Sequence, residues 1–282
     1  MNLGYFYYKG MYKNLSDKEL SDLISGNDEL IKNVNKNKEK IFKNHIKTLN
    51  QETKTFTDDL LLSGYELVEF ILSTKEPGFL IGTGYHHEIP KLKEQFINGF
   101  EFDYTTGLPK IPGSSIKGAI RDVFPLSDEE VDEKLKKLNE DEKFVVKELN
   151  EGRKEEIISL LKNLFNKQYS FDDVLSLKNK IFNNSDIFLD AEIIDNKNIF
   201  KEEFFTPHKS KFENPVPLKF LTIKGGVKFR FRFLLLKNLD VFLSVNERAQ
   251  LYKQIILLNG LGAKTNLNFG RFEDVKTEGN SN

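Results

Sequence analysis

The run Ile111-Pro-Gly-Ser-Ser-Ile-Lys-Gly-Ala-Ile-Arg121 carries residue types able to hold a phosphate. Pro112 and Gly113 break the preceding chain, and Ser114 or Ser115 is expected to cap a helix that runs to about Phe124. Helical spacing then puts Ser114, Lys117 and Arg121 on one stripe, with Ile116, Ile120, Val123 and Phe124 on the opposite, buried one. A helix N-terminus offers free backbone N–H groups and a partial positive charge, so an anion could sit there with the serine hydroxyls as added donors. An ordinary capped amphipathic helix with solvated charges has the same pattern, and spacing alone does not separate the two.

A second candidate is Gly260-Leu-Gly-Ala-Lys-Thr-Asn-Leu-Asn-Phe-Gly-Arg-Phe272. Three glycines and two asparagines permit left-handed backbone and close approach of main chain to a ligand, with Lys264, Thr265, Asn266 and Arg271 available for polar contact. A tight turn before a last strand would look alike. It is not a Walker A loop, because Ala263 precedes Lys264 and a strand follows in place of a helix. Gly82-Thr-Gly84 lacks the third glycine of a dinucleotide fingerprint, where His87 stands, so no cofactor is expected. In Val227-Lys-Phe-Arg-Phe-Arg-Phe233, alternation sets Val227, Phe229, Phe231 and Phe233 on one face and Lys228, Arg230 and Arg232 on the other, which is either solvated or turned to RNA.

Histidines bring acid/base or metal chemistry to mind. His86 and His87 are adjacent and diverge if extended, no HExxH or His/Cys pairing exists, and no metal site is expected; His208, followed by Lys209, suits an RNA-loop contact better. Asp186 and Asp190 in Ser-Asp-Ile-Phe-Leu-Asp-Ala-Glu-Ile could pass for paired carboxylates, but near strand ends they are expected to accept structural hydrogen bonds.

The elements that must position these groups are set by composition first. The chain has 282 residues, 39% hydrophobic and 30% charged, with no cysteine, which excludes disulfides, thiolate metal sites and a Cys nucleophile. No apolar run is long enough for a membrane span, and the start resembles no signal peptide, so a cytoplasmic protein is expected. The net charge of −1 hides an asymmetry: from Asp122 to Glu203 acids outnumber bases by roughly 21 to 13, and from Phe204 to Phe272 bases outnumber acids by roughly 12 to 3. Either these are solvated faces, or the basic third lines a polyanion and the acidic stretch points elsewhere.

Residues 1–60 read as a weakly buried helical extension, opening with a capping box at Ser16 and Glu19. A strand over 65–74 starts the core, followed by an extended 76–84 and the helix from 114. Residues 126–182 read as two or three inserted helices, mostly outside the RNA path on charge grounds. A strand over 187–194, the proline-punctuated 206–217, a strand over 227–236, a helix near 247–258 and a last strand near 272–275 complete the chain. With insertions set aside, the order is strand, helix, strand, strand, helix, strand: an α+β, ferredoxin-like (RRM-like) βαββαβ core in one domain over 1–282. That plan would bring the 260–271 loop close to the start of the first helix.

Asn2-Leu-Gly-Tyr-Phe-Tyr-Tyr-Lys9, residues 107–121, Asp186-Ile-Phe-Leu-Asp-Ala-Glu192, residues 204–212 with 215–226, and residues 260–272 together resemble, in order and over nearly the whole chain, the RAMP superfamily of CRISPR proteins. The 206–208 Thr-Pro-His with the strand after it favours the subunit-six branch of type III-B, Cmr, effector complexes. Asn268 and Phe269 stand where that branch usually has Gly and Tyr; Asn tolerates left-handed backbone next best, so the loop shape should survive. The resemblance implies a non-catalytic RNA-binding subunit, in antiviral defence, that holds the 3′ part of a guide RNA, with guide RNA, target RNA and other RAMP subunits as its partners. Ser114, Ser115, Lys117, Arg121, His208, Lys209, Lys264, Thr265, Asn266 and Arg271 would be its RNA contacts. Two other classes stay open: a metal-independent repeat-processing endoribonuclease with a histidine base, and a purely architectural subunit.

Overall fold

The computed structural model describes residues 12–36, 64–81, 96–103, 106–194, 198–205 and 218–275, less positions 14, 28, 35, 137 and 184. The Asn2–Lys9 start, His86, His87, His208 and Lys209 lie outside the described residues. Helix α1 (Asp17–Ile24) opens with the expected capping box, Ser16 Oγ accepting from Glu19 N and Glu19 Oε2 from Ser16 N. Leu23, Ile31 and Val34 make a small apolar cluster with Tyr12, Leu15 and Leu30.

The chain continues through β1 (Tyr65–Thr74), β2 (Phe96–Asn98), β3 (Glu101–Phe102), β4 (Pro109–Ile111) and α2 (Gly113–Val123). Three helices follow, α3 (Asp128–Leu135), α4 (Glu140–Phe165) and α5 (Phe171–Phe182), each opened by its own capping box at Ser127, Asn139 and Ser170. Then come β5 (Ile187–Phe188), β6 (Ala191–Ile193), β7 (Phe200–Phe205), β8 (Leu218–Ile223), β9 (Lys228–Leu236), α6 (Val245–Asn259), a 3₁₀ turn (Thr265–Leu267) and β10 (Phe272–Asp274).

Two sheets result. The larger is antiparallel throughout, in the order β10-β1-β9-β6-β4-β3, with β5 also paired to β9. The smaller has the order β2-β8-β7, with β2 parallel to β8. A bridge between Phe79 and Ile223 ties the smaller sheet to the chain leaving β1.

Alternation in β9 does what its residues dictate: Phe229, Phe231 and Phe233 are fully buried. Phe70 of β1 stacks on Phe231 and Phe233 at 5.5 and 5.4 Å, and Phe188, Tyr252 and Phe272 close the aromatic cluster around them. Helices α2 and α6 cover this face, α6 lying against β1, β9 and β10, while α4 and α5 pack on their outer sides. Truncating one such phenylalanine to alanine would cost about 3–5 kcal/mol.

Among the described residues, the one fully buried ion pair in the core is made by Asp186 and Arg248. Asp186 accepts from the Arg248 guanidinium, from Tyr252 Oη at 2.6 Å and from Leu236 N at 3.2 Å, and Arg248 Nη2 donates to Leu236 O at 2.5 Å. Burial first, and the neighbouring Asp186 carboxylate second, push the Tyr252 hydroxyl well above its ordinary range, so it stays a donor. The network fastens α6 to the end of β9 and to the turn before β5. Asp186 is therefore the structural acceptor that its sequence position suggests.

Several expectations need correction. Neither Ser114 nor Ser115 caps α2; Pro112 holds the N-cap position, without a side-chain cap bond, and Gly113 is already helical. The strand expected over 187–194 is split into β5 and β6, because Leu189 and Asp190 bend to meet the start of α2. Strands β2, β3, β4, β7 and β8 are additional to the six-element plan. β7, Phe-Lys-Glu-Glu-Phe-Phe, conceals its strand character behind two adjacent glutamates, which on an edge strand stay half-buried and pair with Lys201 and Lys219. Arg232 does not sit on an open basic face: it is buried and pairs with Glu192 at 2.5 Å.

Candidate nucleic-acid interface

The start of α2 is pressed against the β5–β6 turn. A Cβ on residue 113 would lie 2.0 Å from Phe188 O, so only glycine fits. Asp190 occupies the space in front of the helix: its Oδ1 accepts from Gly113 N at 2.8 Å and its Oδ2 from Lys110 Nζ at 2.7 Å. That hydrogen bond, above the opposing desolvation, raises the Lys110 ammonium pKa. The positive end of the helix thus already has a carboxylate on it. The cleft there, about 340 Å³, places the carboxylates of Asp103, Asp190 and Glu192 against Lys110 and Arg232.

Further along α2 the two stripes form as spacing dictates. Ile116 and Ile120 are fully buried, Ser114 and Ser115 are exposed, and Lys117 is half-exposed with no ion-pair partner among the described residues. Arg121, 55% exposed, stands 3.9 Å from Glu130 of α3. Glu130 also takes a 2.5 Å bond from Lys178, whose buried ammonium donates to Pro125 O at 3.0 Å. Burial by itself would raise the Glu130 carboxyl, but Lys178, the Ser127 amide and Arg121 together hold it below its ordinary range. Arg121 therefore reaches solvent beside a permanent anion.

The 260–271 loop is built differently. Its glycines make room for the chain itself: a Cβ at Gly262 would lie 2.4 Å from Leu80 O, and one at Gly270, where φ is +67°, 1.8 Å from Leu261 O. Backbone bonds lock it on both sides, Ala263 N to Leu80 O at 2.6 Å, Gly270 N to Gly78 O at 2.8 Å and Leu261 N to Gly270 O at 2.9 Å. Arg271 donates from Nη1 to Leu258 O at 2.6 Å and from Nη2 to Thr265 O at 3.4 Å, so its guanidinium clamps the loop to the end of α6. Lys264 and Asn268 both adopt left-handed backbone, and Asn268 carries it as expected for the residue standing in for glycine. Phe269 is buried against Phe205 at 5.4 Å.

What this scaffold displays is Lys264 and Asn266, both exposed, with Thr265 half-exposed between them. The Lys264 ammonium lies 4.5 Å from the centre of the Phe205 ring, a cation–π contact that steers the side chain toward the end of β7. β7 leads directly into Thr206-Pro-His208-Lys209. The structure therefore brings the glycine loop to the start of the segment holding His208 and Lys209, and not to α2. Loop and α2 are separated because the loop enters edge strand β10, whereas α2 follows β4 on the other side of β1, β9 and β6. Four strand steps of ~4.8 Å stand between them. Asp190 and Phe205 are the site residues that sequence reading did not assign to this role; the only signal for Phe205 was its place just before Thr206-Pro-His208.

Among the described residues no group of three His, Asp or Glu could hold a metal ion, and no helix is long and apolar enough to cross a membrane. A curated relative, the CRISPR system CMR subunit Cmr6 of Saccharolobus solfataricus, is 25% identical over 271 residues, covering 94% of this chain and 73% of its own. Among solved structures, a chain of the type III-B Cmr-beta complex bound to cognate target RNA superposes with a TM-score of 0.51 at 20% identity, covering 98% of this chain and 86% of that one. The crystal structure of Cmr6 from Pyrococcus furiosus gives 0.44 at 19%, over 76% of this chain and 99% of that one. With the RAMP superfamily matched over residues 71–273, and with the glycine loop that ends inside this span built as described, the chain belongs to the RAMP superfamily.

Proposed function

We propose that this chain is an RNA-binding subunit of a type III-B CRISPR effector complex in the cytoplasm, one RAMP domain that holds the 3′ part of the guide RNA, with its target RNA, beside other RAMP subunits. The observation that carries the reading is the 260–271 loop: a platform locked by main-chain bonds that presents an exposed lysine and asparagine, so RNA phosphates meet donors already in place. The relative named as a CMR subunit six and the family match support the assignment to that complex. Lys264, Thr265 and Asn266 contact the backbone of the RNA, His208 and Lys209 extend the track from the end of β7, and Arg271 shapes the loop. Ser114, Ser115, Lys117 and Arg121 form a separate, weaker contact. The core is ferredoxin-like in this reading: β1, α2, β6, β9, α6 and β10 follow as βαββαβ and lie in the sheet as β10-β1-β9-β6, the fourth-first-third-second order of that plan.

The chain does no chemistry of its own here. Pure protein incubated with repeat RNA, with and without divalent metal, is expected to leave it uncut; metal-independent cutting abolished by a histidine variant would make it a processing nuclease. The central test is RNA affinity of Lys264→Ala over a salt series in the assembled complex. Weaker binding with a shallower salt slope supports the reading, and unchanged affinity together with failed assembly makes the loop a contact between subunits.

A further inference from the structure

Among the described residues, helix α4 is anchored on one side only. Asn150 exchanges hydrogen bonds with the Leu126 main chain at 2.7 and 3.2 Å, and Ile157 and Leu161 are fully buried. On the opposite side its first four turns expose three large apolar side chains, Phe144 at 66%, Val145 at 53% and Leu149 at 61%. An isolated exposed leucine is unremarkable, but three within six residues on one helix face form a patch.

The charges around that patch all have one sign. At about 100° per residue, Asp141, Glu148, Glu155 and Glu156 share the outward face with the apolar three. None of these four has an ion-pair partner among the described residues. The cations of the same turns lie to the side or behind, and three are already engaged: Lys143 with Glu140, Lys154 with Glu151, and Arg153 with Asp122. Gly152 sits mid-face, where an added Cβ would meet nothing within 4 Å. Glycine is a poor helix former, and among the described residues nothing needs the space that it leaves.

We infer that the outer face of α4, over residues 141–156, is a docking surface for a protein partner presenting an apolar stripe bordered by Lys or Arg. The apolar side chains supply the area, the uncompensated acids select a basic partner, and Gly152 admits a side chain of that partner close to the helix axis. A polyanion is repelled from this face, which therefore serves protein assembly and not RNA.

The test uses the full chain without RNA, so it is independent of the RNA-binding reading. The probe is a labelled helical peptide about five turns long, with a leucine stripe bordered by lysines, and a twin in which every lysine is glutamate. The lysine peptide is expected to bind, more weakly as salt rises, and the glutamate twin is not. Phe144→Ser with Leu149→Ser, and separately Glu148→Lys with Glu155→Lys, are expected to weaken the lysine peptide by about tenfold or more, a difference of ~1.4 kcal/mol, with melting temperature unchanged because the sites are exposed. Equal binding of the two peptides, no binding of either, or binding retained in both variants overturns the inference.

Discussion

The start of α2 and the 260–271 loop carry similar residues and end in opposite electrostatic states. In α2 the helix end meets Asp190 and the outermost cation, Arg121, faces Glu130. In the loop, Arg271 is consumed by main-chain carbonyls, and this leaves Lys264 held over an aromatic ring with no carboxylate on it among the described residues. A cation paired at home offers a phosphate only the difference between two partners, whereas an unpaired one offers its full charge. Lysines and arginines of similar spacing are therefore unequal in the charge they leave for an anion.

The largest expected effect tests what both regions share. Asp186→Ala leaves Arg248 buried without its carboxylate and should cost about 3–5 kcal/mol, read as a lower melting temperature, with both regions losing RNA together. A mild effect would mean that water or Tyr252 compensates. Next, Gly270→Ala forces a Cβ onto Leu261 O at a left-handed position and should cost about 1–3 kcal/mol. Gly113→Ala strains the β5–β6 turn comparably in the melt. If the loop is the stronger contact, RNA affinity at matched fraction folded falls for Gly270→Ala and hardly for Gly113→Ala; the reverse order would exchange the roles of the two regions.

Single cations sharpen the comparison at lower amplitude. Lys264→Ala should lower the log–log salt slope by ~0.7, the value for one phosphate on a single strand, Lys117→Ala by less and Arg121→Ala least, with melting unchanged. Equal losses at all three positions would erase the distinction drawn above. The smallest effect is a pH dependence. The Glu130 carboxyl pKa is depressed in the folded chain, so its contribution is present above its unfolded value, about 4.3, and is lost as pH falls through the folded one. Glu130→Gln should flatten that acid-side loss in thermal melts and slightly raise RNA affinity through Arg121. A steeper acid loss would contradict the sign.

Local pattern settled much of this protein. The period of two in Val227–Phe233 buries its phenylalanines, the spacing in 113–124 buries Ile116 and Ile120, and capping residues start α1 and α3–α6, because these depend on neighbours within a few positions. The resemblance carried by residues 107–121 and 260–272 was legible for the same reason, as contiguous residue types. What only the tertiary structure decided is which cations remain free. Asp190 reaches Gly113 across 77 positions, Glu192 reaches Arg232 across 40, and Leu80 fills the space beside Gly262; these partners come from distant segments joined by strand pairing. The expected meeting of loop and α2 failed on the same ground. The last strand does pair with the first, but β2, β3 and β4 intervene before α2, and local sequence could not show that they carry the helix to the far side of the sheet.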